Sequence, residues 1–177
     1  MRSSMRRTLA TPLVAAAFVF SAASISADDR SKPIPNPAID MDAHLRLSAE
    51  AARVRETRRV SEDEFLALAR LPRTVILDAR SRLKYDELHV KGAINLSFPD
   101  ITAASLAAAI PDKSSPVLIY CNNNFRNAEG PFPTKAPPAS LNLSTYVTLY
   151  IYGYRNVYEL APLLDPKTCA LAFESTP

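Results

Sequence analysis

Cysteine, histidine and glycine are scarce in this sequence, at two, two and three residues among 177, and tryptophan is missing altogether. Two cysteines, Cys121 and Cys169, are too few for a disulfide-built scaffold, which is short and cysteine-dense. With 47% hydrophobic residues the chain has material for a core of its own, and one domain is the expectation. Both thiols are therefore expected to be free. His44 and His89 stand in no His/Cys/Asp/Glu spacing suited to a metal ion, so no metal and no organic cofactor are expected.

An excess of one charge is also missing. Of 21 basic residues, Arg2, Arg6 and Arg7 lie in residues 1–27, which hold none of the 18 acidic ones, so 18 of each sign remain beyond. A nearly neutral chain offers no nucleic-acid surface. The run Arg53, Arg55, Arg58 and Arg59 is interleaved with Glu50, Glu56, Glu62, Asp63 and Glu64, as on a solvated helix face.

Residues 9–20 are apolar but fall short of the ~20 residues that a spanning helix needs. Their setting, after three arginines and before small residues that end at Ala27, is that of a secretory signal peptide. Cleavage is expected after Ala27, with Ala23 as the alternative, giving a periplasmic or secreted protein without stable membrane insertion. Residues 28–59 read as a linker and helical extension. Pro33, Pro35 and Pro37 keep the first part extended, and the Ala, Glu and Arg content of residues 48–59 favours a helix.

What the sequence does contain is a charge-free strand that ends in a thiol. Val117, Leu118, Ile119 and Tyr120 have the character of a buried central strand and lead into Cys121. Asn122, Asn123 and Asn124 follow, residues that tolerate left-handed backbone and suit a tight loop with inward amides, and Arg126 closes it. A cysteine five positions before an arginine suits a thiolate held beside a bound anion. The competing reading is a cysteine that merely fills a core.

Upstream, Ser61 and Glu64 form a capping-box pattern ahead of Phe65, Leu66, Leu68 and Ala69, and Pro72 ends that helix. A strand over residues 74–77 meets Asp78-Ala79-Arg80, and a helix over residues 101–110 precedes the thiol strand. Asp78, Arg80, Tyr85, His89, Gly92, Ala93 and Asn95, in that order ahead of the cysteine loop, resemble the pattern of the rhodanese (sulfurtransferase) superfamily. Gly153, Tyr154, Asn156 and Val157 resemble its later Gly-aromatic-x-Asn-Val segment. The resemblance covers about residues 60–160. It implies a rhodanese-like domain over residues 60–177: an α/β three-layer fold with a central parallel sheet and helices on both faces. It also implies structural roles for His89, Asp78 and Arg80.

The loop departs from the family's Cys-x-x-Gly-x-Arg-Ser pattern. Asn124 stands at the glycine, Asn127 follows Arg126, and residues 128–139, with Gly130 and four prolines, delay the next helix until about Ser140. That insertion is expected to separate the thiol from the helix N-terminus that would support an anion. Phe125 and Phe132 either line a lid over Cys121 or pin the insertion to the domain. Ser140 or Asn142 caps a helix whose stripe is Leu141, Leu143, Tyr146, Leu149 and Tyr150.

By resemblance, Cys121 carries sulfane sulfur as a persulfide from a small anionic donor to a thiol or other thiophilic acceptor. Arg126 binds the donor, and Asn122, Asn123, Asn124, Phe125 and Asn127 form its cradle. The alternative is a non-catalytic binding or redox-sensing module that engages a protein partner. A phosphatase is disfavoured, since Tyr120 precedes the thiol and the loop is one residue short.

Overall fold

The computed structural model describes residues 34–176, so the signal-peptide expectation and the start of the linker lie outside the described residues. Residues 34–39 hold a turn on Asn36, whose side chain accepts a hydrogen bond from the Ala38 amide and whose carbonyl accepts one from Ile39. From Asp40 onward the chain is one compact unit.

Asp40 starts helix α1, Met41–Arg55, by accepting from the Ala43 amide at 2.8 Å. The helix therefore begins and ends earlier than the composition of residues 48–59 predicts. Arg59 instead enters strand β1, Arg59–Val60, a two-residue element too short for any periodic pattern. Helix α2, Glu62–Ala69, opens with the predicted capping box between Ser61 and Glu64. Strand β2, Val75–Asp78, leads to helix α3, Arg82–Glu87, then strands β3, His89–Val90, and β4, Ile94–Asn95. Helix α4, Ala103–Ala109, is capped by Thr102 and Ser105. Strand β5, Val117–Tyr120, has the predicted bounds. Helix α5, Leu141–Ile151, is followed by Gly153 at φ 91°, a conformation only glycine adopts without strain, and then by β6, Val157–Leu160. Strand β7, Phe173–Glu174, pairs antiparallel with β3.

The main sheet is wholly parallel, in the order β1-β6-β5-β2-β4. Side chains alternate between its faces with a period of two. Val117 and Ile119 point to a core with Leu77, Val157, Ala51 of α1, Leu106 of α4, and Tyr146 and Leu149 of α5. Leu118 and Tyr120 point the other way, to Phe65 of α2, Val90, Phe125, Phe132 and Leu160. The result is the expected α/β three-layer domain. Because β5 lies between β6 and β2 and is buried on both faces, its carboxyl end places Cys121 at the middle of the sheet edge.

Below that edge, Asp78 and Arg80 fix the end of β2. The Arg80 guanidinium reaches Asp78 at 2.5–3.1 Å and donates to the carbonyls of Leu88 (2.7 Å) and Pro131 (2.8 Å). The Tyr120 hydroxyl donates to Asp78 at 2.6 Å and accepts from the Val90 amide. Burial, then the Asp78 charge, raises the Tyr120 phenol above its ordinary value. His89 is buried, stacked on Tyr85 and donating from Nδ1 to the Tyr85 carbonyl at 2.7 Å, which is a structural placement.

Candidate active site

Cys121 is 1% exposed and unbridged; Cys169 is also free, and burial pushes its thiol up. After Cys121 the chain makes one 3₁₀ turn, Asn122–Asn124, held by hydrogen bonds from the Asn124 amide to the Cys121 carbonyl and from the Phe125 amide to the Asn122 carbonyl. None of these asparagines has positive φ; the left-handed residue of the loop is Asn127, at φ 57°. The Asn124 position is thus filled by asparagine for its amide side chain. Asn124 Nδ2 donates to the Leu160 carbonyl at 2.7 Å, while Oδ1 accepts from the Cys121 amide at 2.8 Å and from Asn142 Nδ2 at 3.0 Å. One side chain therefore ties the thiol residue, β6 and α5 together.

The insertion does not carry α5 away. Ser140, directly before α5, places its hydroxyl 3.4 Å from Cys121 Sγ. The separation expected from the sequence is closed because residues 128–139 loop out and return. Phe132 is the pin: it packs on Phe125 at 4.4 Å between centroids, on Phe173, and beneath the Arg80 guanidinium. Lys84 bonds the Gly130 carbonyl, and the Asn123 side chain bonds both the carbonyl and amide of Lys135. Of the two readings for Phe125 and Phe132, pinning is the one observed, since both rings are buried in the core.

The thiol borders a cavity of about 300 Å³ lined by Arg55, Arg59, Asn123, Asn124, Ser140 and Glu159, among others. Of the residues read from the loop pattern, Cys121, Asn123 and Asn124 meet there. Asn122 instead lines a neighbouring cavity with Arg80, Ser81 and Lys135. Phe125 is core, and its parallel bridge to Leu164 turns the next side chain outward, so Arg126 is exposed and its amide is bonded to the Leu164 carbonyl. Asn127 bonds Asp165 at 2.7 Å.

The cations at the thiol cavity come from elsewhere in the chain. Arg55, from the last turn of α1, grips Glu159 of β6 with Nε and Nη2, the latter at 2.7 Å, and this hydrogen bonding raises its already high value further. Their interleaving with acidic residues predicts a solvated face for Arg55 and Arg59, and the structure places both at this cavity. The available signal was Glu159, a carboxylate inside an apolar strand, which calls for a buried cationic partner. Among the described residues no His/Cys/Asp/Glu group is arranged to hold a metal, and no helix is long and apolar enough to cross a membrane.

Thiosulfate sulfurtransferase PspE of Escherichia coli (strain K12) is 39% identical over 46 residues, which are 26% of this chain and 43% of that protein; the chain spans less than half of that relative. A solved structure described as rhodanese with anions from E. coli is 26% identical, covering 58% of this chain and 98% of that one, with a TM-score of 0.39. The Alr3790 protein from Anabaena sp. is 21% identical, covering 66% and 80%, with a TM-score of 0.47. The rhodanese-like domain family matches residues 61–161, more than half of the sequence, and the chain belongs to that family.

Proposed function

We propose that the protein is an exported sulfurtransferase that moves sulfane sulfur through a persulfide on Cys121. The observation that carries this reading is the thiol at the carboxyl end of the central strand, opening on a cationic cavity and facing the Ser140 hydroxyl. The Cys121 thiolate attacks the outer sulfur of a donor such as thiosulfate. A new S–S bond forms, the donor's S–S bond breaks, and its electron pair leaves with sulfite. An acceptor thiolate then attacks the terminal sulfur and Cys121 departs as thiolate, so no external oxidant or reductant is consumed. Ser140 can donate to the sulfur anion in each state.

Export rests on the residues before Asp28: the arginines, the apolar stretch and the small residues up to Ala27. N-terminal sequencing of protein recovered from outside the cytoplasm should begin near Asp28; an uncut chain in the membrane fraction would overturn export.

The test of the chemistry is intact mass before and after thiosulfate. Wild type should gain one sulfur atom and Cys121→Ser none. Equal loading of the two would refute the nucleophile. A second reading, a binding or redox-sensing module, is favoured by one observation: the Phe125 and Arg126 amides are bonded to protein carbonyls and not turned to a ligand. It predicts no added sulfur on wild type and partner binding that survives Cys121→Ser.

A further inference from the structure

We infer that the oxyanion end of the donor is held by Arg59, so that a segment ahead of the family's domain supplies the cationic half of the site. The inference rests on the sulfur-transfer reading for what the anion is, but the anion subsite stands on geometry of its own. Arg55 and Arg59 both precede residue 61, where the family match begins, and both line the cavity that Cys121 borders.

Sheet register puts these groups on one face. Ile119, Glu159 and Arg59 stand opposite one another across β5, β6 and β1. In a parallel sheet such a row points to one side, and Cys121, two residues beyond Ile119, follows the same alternation. Two inter-strand steps separate Arg59 from the β5 row, roughly 10 Å of backbone at the usual spacing. A guanidinium on a long side chain covers much of that span.

Charge then distinguishes the two arginines. Arg55 is committed: it forks onto Glu159, which is 5% exposed, and each neutralises the other. Arg59 is exposed and makes no salt bridge among the described residues. Its guanidinium has its donors available for an oxyanion, for which the planar fork is suited. Two groups oppose an anion here. Glu159 is offset by Arg55, and Asn142 Oδ1, which has no hydrogen-bond partner among the described residues, contributes only a dipole. With Cys121 uncharged, as in the serine variant, the cavity lining is left with one positive charge in excess, facing a dianion.

The test uses the full chain. Thiosulfate binding is titrated calorimetrically with Cys121→Ser, where no transfer occurs, alone and combined with Arg59→Ala, Arg59→Lys or Arg126→Ala. Arg59→Ala should weaken binding about tenfold or more, the scale of a lost charge-assisted hydrogen bond. Arg59→Lys should recover part of it, and Arg126→Ala should change it less than twofold. With Cys121 present, Arg59→Ala should raise KM for thiosulfate more than for the monoanion methanethiosulfonate, with kcat little changed. Because the Arg59 side chain is exposed, these variants should keep the fold.

Unchanged binding with Arg59→Ala, or a loss confined to Arg126→Ala, would overturn the inference. Arg59-dependent binding with no sulfur gained by wild type would leave the subsite standing and remove the transferase reading instead.

Discussion

The Ser140 hydroxyl lies 3.4 Å from the Cys121 thiol although 19 residues separate them in the chain. It makes no side-chain cap on α5, so its hydrogen bond is available to sulfur. Ser140→Ala should therefore slow alkylation and sulfur loading of Cys121 by about tenfold or more, the range for a hydrogen bond to a charged partner. Thermal unfolding should move little. A rate equal to wild type would show that the hydroxyl does not act on the thiol.

Restoring the family's glycine should harm this protein. Asn124→Gly removes the acceptor of the Cys121 amide and the donor to the Leu160 carbonyl, both buried. Leaving two such groups unpaired costs roughly 2–4 kcal/mol. Urea unfolding should show the midpoint shifting with the slope unchanged. A variant as stable as wild type would mean that the loop has an alternative set of bonds.

Arg80→Met should be the most destabilising single change at the sheet edge. It strands the Asp78 carboxylate, 0% exposed, without its guanidinium and removes the seat of Phe132. Breaking a buried pair by removing one member costs about 3–5 kcal/mol. The loss should appear in thermal or chemical unfolding, together with faster proteolysis within residues 128–139, because Arg80 bonds the Pro131 carbonyl.

Stability should fall in alkali as the buried tyrosines are forced to ionise. Burial raises the Tyr120 phenol, and burial pushes Tyr146 up to about 12, whereas an unfolded tyrosine titrates near ~10. Above that lower value the unfolded chain releases protons that the folded one keeps. The stabilisation is thus complete below pH ~10 and is lost as pH rises toward 12. Unfolding midpoints measured from pH 8 upward should stay level and then drop, and Tyr120→Phe should make that drop shallower. A drop of equal slope in the variant would mean that Tyr120 does not contribute to it.

The sequence by itself determined the strand Val117–Tyr120, the thiol at its end, the Ser61–Glu64 cap and the ordered motif from Asp78 to Asn95, because each is a local pattern of burial or capping. The resemblance also implied structural roles for Asp78 and Arg80, two residues apart in the chain, and they form a buried ion pair. Tertiary structure alone decided which cations line the cavity that the thiol borders. Arg126 is turned outward by a single bridge between Phe125 and Leu164, and Arg55 is drawn in by Glu159, 104 residues away. Neither contact leaves a trace in local spacing. Strands β1 and β3 were illegible for the same reason, since two residues carry no period and exist as strands only through distant partners. The insertion's return to Ser140 belongs with them: a loop's direction is set by where its rings can be buried, and Phe132 finds that burial against Phe125, Phe173 and Arg80.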